Sequence, residues 1–225
     1  MNFNESEDFV AQRESMVARQ LIARGVRDPA VLEAMRAVPR HAFVPPQLRA
    51  LAYSDRPLPI ANEQTISQPC VVARMIEAAN VCEGDRVLEV GTGSGYAAAV
   101  LARIAAHVDT IERHRALADA ARATLAKLGV TNVDVHCADG TFGWPAAAPF
   151  DAIVAAAGGP AVPAAWHGQL STGARIVMPV GGRHTGQRLV KLTRTHADRY
   201  DEEDLGAVYF VPLIGAQGWP DTRGV

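Results

Sequence analysis

The sequence predicts an open, doubly wound α/β sheet behind a helical cap, and three observations carry that expectation. From Asp85 onward, short apolar runs alternate with longer helical stretches. The first run feeds directly into a glycine-rich loop, and the second and third end in acidic residues.

Val87–Val90, Val108–Ile111, Val133–Cys137 and Ala152–Ala156 have strand length, while 95–105 and 114–128 have helix length. Near-continuous apolar strands are the mark of parallel strands buried on both sides, so helices are expected as right-handed crossovers over both faces. Gly129 stands where a helix-terminating glycine belongs. Runs at 175–180, 187–195 and 205–213 are expected as further strands, the last two forming an antiparallel edge, with Asp201 to Asp204 as a solvated turn between them.

The first third reads differently. Residues 7–23 suggest an amphipathic helix closed by Gly25, and Asp28-Pro29 supplies an N-cap and first-turn proline for a second helix that Pro39 ends. Pro45, Pro46, Pro57 and Pro59 then break regular structure before Pro69, which implies an ordered loop wrapped on a scaffold. The expected organisation is a helical cap with an active-site loop over 1–80 and a sheet core over 81–225, integrated as one domain.

Composition narrows the function. At 225 residues, 48% hydrophobic and 20% charged, the chain can bury a core and is not disordered. A net charge of −2 removes the basic surface that nucleic acid or an anionic membrane would need. No apolar stretch reaches the roughly 20 residues of a membrane span, and Met1 to Glu14 lack the basic start and apolar core of a signal peptide. Cys70, Cys82 and Cys137 form no CxxC pair, so reduced thiols in the cytoplasm are expected.

The glycine loop is Glu89-Val-Gly91-Thr92-Gly93-Ser94-Gly95, followed by Tyr96 and a helix. Glycines permit a tight turn and close approach of a ligand, and the helix start offers unpaired N–H groups. Glu112, 21 residues after Gly91, sits where a carboxylate accepts from ribose hydroxyls, with Arg113 beside it. Asp139-Gly140 ends the third run and could meet an adenine edge. The GxGxG spacing is shorter than the GxGxxG turn that cradles a pyrophosphate, and Glu89 favours a cation. Both features point to S-adenosylmethionine over a dinucleotide, although a tight turn and a strand-end carboxylate are the plain readings of each feature alone.

Before the sheet stands Pro57-Leu-Pro-Ile-Ala61-Asn-Glu63-Gln64-Thr65-Ile66-Ser67-Gln-Pro69. Together with LEVGTGSGY at 88–96, DGTFGWP at 139–145, APFDAIV at 148–154 and MVARQLIARGV at 16–26, it resembles the protein-L-isoaspartate O-methyltransferases over about residues 16–215. The resemblance implies a Rossmann-like class I S-adenosylmethionine-dependent methyltransferase fold. It also implies methylation of the free α-carboxylate of L-isoaspartyl residues in damaged proteins, as a step of repair. It assigns Ser67 as the active-site serine, Gln64, Thr65 and Ile66 as its substrate-binding neighbours, and Glu89, Gly91, Thr92, Gly93, Ser94, Gly95, Glu112, Arg113, Asp139 and Gly140 to the cofactor. Isoaspartyl peptides and proteins are the expected partners of a monomer. Where family members usually carry Gly, this chain has Ala61 and Glu63. It has Cys70 in place of a common aromatic, and Ala155 begins a stretch that lacks a familiar threonine.

The chemistry agrees with the residues. A carboxylate nucleophile has a pKa of about 4 and needs no strong base, so a serine that orients it suffices. Ser67 has no histidine near it in sequence and no GxSxG elbow, which argues against an acyl nucleophile; capping the helix near Pro69 is its structural alternative. His41, His107, His114, His136, His167, His184 and His196 show neither HExxH nor paired spacing, so no metal site is expected, and His41 alone is kept as near the site. Trp144 reads as a core plug, and Trp219 has no assignable role. Three alternatives remain beside isoaspartyl methylation: another acceptor for the same cofactor, a nicotinamide-dependent oxidoreductase on the same sheet, and a binding module without turnover.

Overall fold

The computed structural model describes residues 7–183, 185–196 and 199–222; His184 lies outside them. Helix α1 (Glu7–Met16) continues into one π turn (Val17–Leu21) and one 3₁₀ turn (Ile22–Arg24), and Gly25 at φ 97° closes the run. The predicted single helix is therefore broken in hydrogen-bond register, while its end falls as expected. Helix α2 (Pro29–Ala37) begins at Asp28, whose carboxylate accepts from the amides of Ala30 and Val31.

The proline-rich stretch holds two 3₁₀ turns and a hairpin of β1 (Leu58–Pro59) and β2 (Thr65–Ile66), then opens into helix α3 (Pro69–Ala79). The core follows as β3 (Arg86–Val90), α4 (Tyr96–Leu101), β4 (His107–Glu112), α5 (Arg115–Lys127), β5 (Val133–Cys137), β6 (Phe150–Ala155), α6 (Ala164–His167), β7 (Leu170–Gly181), β8 (Gln187–His196) and β9 (Arg199–Val208).

The sheet order is β5-β4-β3-β6-β7-β8-β9. From β5 to β7 neighbours run parallel, and β8 and β9 add antiparallel to β7 and to each other. The last strand lies earlier than its apolar run suggests. Asp201 to Asp204 belong to β9, paired with Val190 to Thr193, and are not a turn. An edge strand tolerates this acidic run because its outer side faces solvent, where charge discourages further pairing.

The strands alternate between two apolar layers. Val87, Val108, Ala152 and Val154 face the layer built by the cap, α3 and α4, and Leu88, Val90, Ile111, Ile153 and Ile176 face the other. One continuous apolar layer thus joins residues before and after position 80. Helices cross over both faces as expected, but they are shared unevenly. Between β5 and β6 the chain makes only 3₁₀ turns (Gly140–Phe142 and Pro145–Ala147), and the four-residue α6 is the helix that packs on the second layer among the described residues. The plug of that layer is Trp166, fully buried, with its indole donating to the Gly140 carbonyl at 3.0 Å. Trp144, the expected plug, is half-buried and stacks on His136 instead.

Replacing Trp166 with Ala is expected to cost about 3–5 kcal/mol, the usual price of emptying a buried aromatic site. A denaturant titration of both proteins checks this.

Candidate functional site

Strand β3 has β4 on one side and β6 on the other, so chain connections leave it in opposite directions and a crevice opens at its carboxyl end. Open α/β sheets bind ligands at this point. A cavity of about 1100 Å³, its open mouth included, occupies it. The glycine loop forms one wall. Gly91, Gly93 and Gly95 sit at φ 95°, 53° and 87°, a region L side chains rarely enter, and the amides of Gly91 and Thr92 both donate to the Ile111 carbonyl.

Glu112, the last residue of β4, fastens the loop from the second wall. One carboxylate oxygen accepts from the Gly93 amide at 2.9 Å and the other from the His114 amide at 2.9 Å. Each of those oxygens keeps further acceptor capacity facing the cavity. Arg113 and His114 line the same wall, and Arg113 is ion-paired with Asp221.

Glu89 lies on the cavity floor, 1% exposed. Thr110 donates to one of its oxygens at 2.5 Å, and Thr92 lies 2.7 Å from the Thr110 hydroxyl. The other oxygen, Oε1, is buried with no hydrogen-bond partner. Burial pushes the Glu89 carboxyl up to about 8, opposed by the Thr110 hydrogen bond and aided by the charge of Glu112. An orphaned acceptor on the floor of a crevice is what a cationic ligand group would complete.

Across the mouth stands the hairpin and the turn into α3. Gln64, Thr65, Ile66 and Ser67 all line the cavity. Ser67 is half-buried, and its carbonyl accepts from Arg40 Nη2 at 2.7 Å. Gln68, not Ser67, is the N-cap of α3, and no side chain caps that helix, so the structural alternative for Ser67 is not realised. A second groove, lined by Pro57, Val71, Arg74 and residues 207–209, meets the cavity at Thr65, Ser67, Ala156, Phe210 and Val211. Ser67 therefore stands where the crevice joins this second trough.

Most of the sequence-predicted residues meet here: Glu89, Gly91, Thr92, Gly93, Ser94, Glu112, Arg113 and Gly140 line the cavity. Two do not. Gly95 turns its α-carbon towards Ala121 and Leu125 of α5, so it shapes the loop from behind. Asp139 directs its carboxylate to the amides of Thr141 and Ala216 and to the Thr141 hydroxyl, clamping the C-terminal segment. Burial alone would raise its pKa, but those hydrogen bonds and the charge of Arg113 hold it below its ordinary value. His41 is not at the site either; it stacks on Phe9 and lies 2.8 Å from the Tyr53 hydroxyl. Ala61 and Glu63 are exposed at the hairpin tip, outside the cavity wall, and Cys70 and Ala155 are buried behind it.

Sequence reasoning missed Arg40, Thr110 and the segment Phe210–Ile214, which closes one side of the cavity. Thr110 was visible as a hydroxyl inside an apolar run. Arg40, fully buried, donates to the carbonyls of Ala52 and Ser67 and lies 4.7 Å from the Tyr96 ring centroid. Burial lowers its pKa, and Tyr96 counters part of that. Trp219 gains a role too: its indole donates to the Gly158 carbonyl, anchoring the tail beside the cavity.

Comparison with known proteins decides among the fold's many uses. The family model described as protein-L-isoaspartate(D-aspartate) O-methyltransferase matches residues 11–218. The chain belongs to this family. It is 60% identical to protein-L-isoaspartate O-methyltransferase 1 of Rhodopseudomonas palustris (strain HaA2), over 96% of this chain and 88% of that protein. To protein-L-isoaspartate O-methyltransferase 2 of Marinobacter nauticus it is 53% identical, over 96% of this chain and 99% of that one. A solved protein-L-isoaspartate O-methyltransferase superposes with a TM-score of 0.82 at 29% identity, covering 92% of this chain and 67% of that one. A Plasmodium falciparum structure described as a putative isoaspartate methyltransferase with S-adenosyl-L-homocysteine shares the fold, with a TM-score of 0.76 at 23% identity over 90% of this chain and 98% of that one. For this isoaspartate methyltransferase family member, the crevice described above fits S-adenosylmethionine, whose cation would meet an orphaned acid and whose hydroxyls would meet Glu112.

The Glu89 proton has a measurable consequence. The folded carboxyl titrates at about 8 and the unfolded one at 4.5. The stabilising contribution is thus full below the unfolded value and is lost as pH rises towards the folded one, a loss of about 3 kcal/mol by pH 7. Glu89→Gln is expected to raise the melting temperature over wild type by a margin that grows from pH 5 to pH 8, while weakening binding of the cofactor. Thermal melts across that range, paired with calorimetric titration, check both outcomes.

Proposed function

We propose that this protein transfers a methyl group from S-adenosylmethionine to the free α-carboxylate of L-isoaspartyl residues in damaged proteins, the first step of their repair. Family membership over residues 11–218 and the junction of crevice and trough at Ser67 support this reading. The cofactor supplies an electrophilic methyl group whose transfer neutralises charge. Glu89 would take its cationic end, Glu112 would hold its hydroxyl groups, and Gly91 to Ser94 would let it lie against bare backbone. The Ser67 hydroxyl would donate to the incoming carboxylate and orient it; no side chain has to remove a proton, because the nucleophile is already ionised at neutral pH. Holding the reactants in line can supply about 7–11 kcal/mol of the barrier reduction.

The trough beside Ser67 is read as the path of the damaged peptide. Arg74 lies along it, its side chain donating to the Leu205 carbonyl. Exposed Ala61 and Glu63 lie away from the crevice, so their departure from the family's usual glycines leaves the reacting centre intact. Residues 1–80 act as a cap and active-site loop on the methyltransferase core, as one folding unit. No helix among the described residues is long and apolar enough to cross a membrane. The three free cysteines suit a reducing cytoplasm. A monomer accounts for the scattering of the exposed large apolar side chains Val10, Ile22, Phe142 and Tyr209.

Labelled cofactor offered with an isoaspartyl peptide and its aspartyl twin should label the first alone; equal labelling of both overturns the reading. Ser67→Ala should keep cofactor affinity and lower kcat about 10-fold or more, as expected on losing one hydrogen bond to a charged group. Glu112→Ala should do the reverse, raising the cofactor's dissociation constant with little change in acceptor choice. Steady-state kinetics and calorimetry on both variants separate the roles.

A further inference from the structure

The second face of the sheet carries a polar cluster that the methyl-transfer chemistry does not use. Strands β4 and β5 pair with Asp109 beside Asp134, and side chains two apart on a strand share a face. His107 and Asp109 of β4 and Asp134 and His136 of β5 therefore project together. His107 Nε2 lies 3.7 Å from Asp109 Oδ2 and 3.3 Å from Asp134 Oδ2, and one donor atom from each of the three residues lies within 4.8 Å of the others. Nitrogen and oxygen ligands held about 2.0–2.1 Å from a tetrahedral ion stand about 3.3–3.4 Å apart, so small side-chain adjustments complete the set.

A cluster of this kind can be a plain ion-pair network, and two features argue for more. The Asp109 side chain is only 4% exposed, yet its Oδ2, the oxygen facing His107, has no hydrogen-bond partner. Its other oxygen is fixed by His136 Nε2 at 2.8 Å, and the His136 ring is in turn stacked on Trp144 at 3.9 Å. The ligand carboxylate is thus oriented from behind, as outer-shell partners orient metal ligands. Arg86 Nη2 approaches the same oxygen only to 3.6 Å, beyond hydrogen-bond distance, from a side chain that is 49% exposed and able to swing away.

We propose that His107, Asp109 and Asp134 form a binding site for a divalent transition-metal ion such as Zn²⁺, with a fourth position open to water. Imidazole with carboxylates suits zinc, cobalt or nickel, not calcium, which wants six or more oxygens. The site is separate from the cofactor crevice. Asp109 precedes Glu112 by three strand residues, about 10 Å along β4 towards its opposite end. Two carboxylates neutralise the dication, which displaces Arg86 from its place beside Asp109.

Equilibrium dialysis of tag-free protein against Co²⁺, read by metal analysis and by visible absorption, tests this. Wild type is expected to take up one ion per chain with the spectrum of a four-coordinate nitrogen and oxygen site. His107→Ala and Asp134→Asn should each weaken uptake at least 10-fold, and His136→Gln about 10-fold through the outer shell. Arg86→Gln, which keeps every ligand and removes the competing cation, should tighten it. Unchanged S-adenosylhomocysteine binding and circular dichroism show that each variant is folded. No uptake by wild type at millimolar metal, or uptake that survives His107→Ala, overturns the proposal. So does uptake abolished by Cys82→Ser or Cys137→Ser in place of the histidine variant, or Arg86→Gln binding no tighter than wild type.

Discussion

The molecule depends on the reversal of strand order at β3. With β4 and β6 on its two sides, the connections at its carboxyl end must diverge, and no side chain from either neighbour can fill the gap they leave. Everything functional is arranged around that gap. The glycine loop bends over one lip, Glu112 ties its Gly93 amide to the end of β4, and Phe210–Ile214 return from the last strand to close the far side. The crevice is a result of topology first and of side chains second.

The cap makes the crevice a reaction site. A guanidinium with no exposure is costly unless its donors are used, and Arg40 spends two of them on the carbonyls of Ala52 and Ser67. In this way a residue between α2 and the proline-rich stretch fixes the backbone of the serine that lines the crevice. Lysine could not replace it, because one ammonium point cannot span two carbonyls from a planar fork.

Much of this was legible in the sequence because it is encoded locally. A strand running into Gly91, Gly93 and Gly95 needs the left-handed turn that only glycine enters cheaply, and Asp28-Pro29 announces a helix start whatever surrounds it. What was not legible depends on partners distant in the chain. Asp139 could be located at a strand end, but its choice of the Ala216 amide over a ligand required knowing where the tail returns. Arg40 reads as one arginine among many until Ser67 lies beside it. His107-x-Asp109 and Asp134-x-His136 are unremarkable alternations until β4 and β5 pair in the register that sets Asp109 next to Asp134. The acidic run at Asp201 to Asp204 misled for the opposite reason: edge pairing overrode its turn-like composition.

The proton on Glu89 also filters what enters. Near neutral pH the floor of the crevice carries little net charge, so sodium, potassium or a stray lysine amine gains too little there to repay its lost hydration. On the proposed reading, a ligand would be held by its other contacts, along the glycine turn and at Glu112, before its positive end could displace that proton and convert a neutral wall into a counter-ion. Discrimination in favour of the whole cofactor over its charged fragment would thereby follow from the acid's burial.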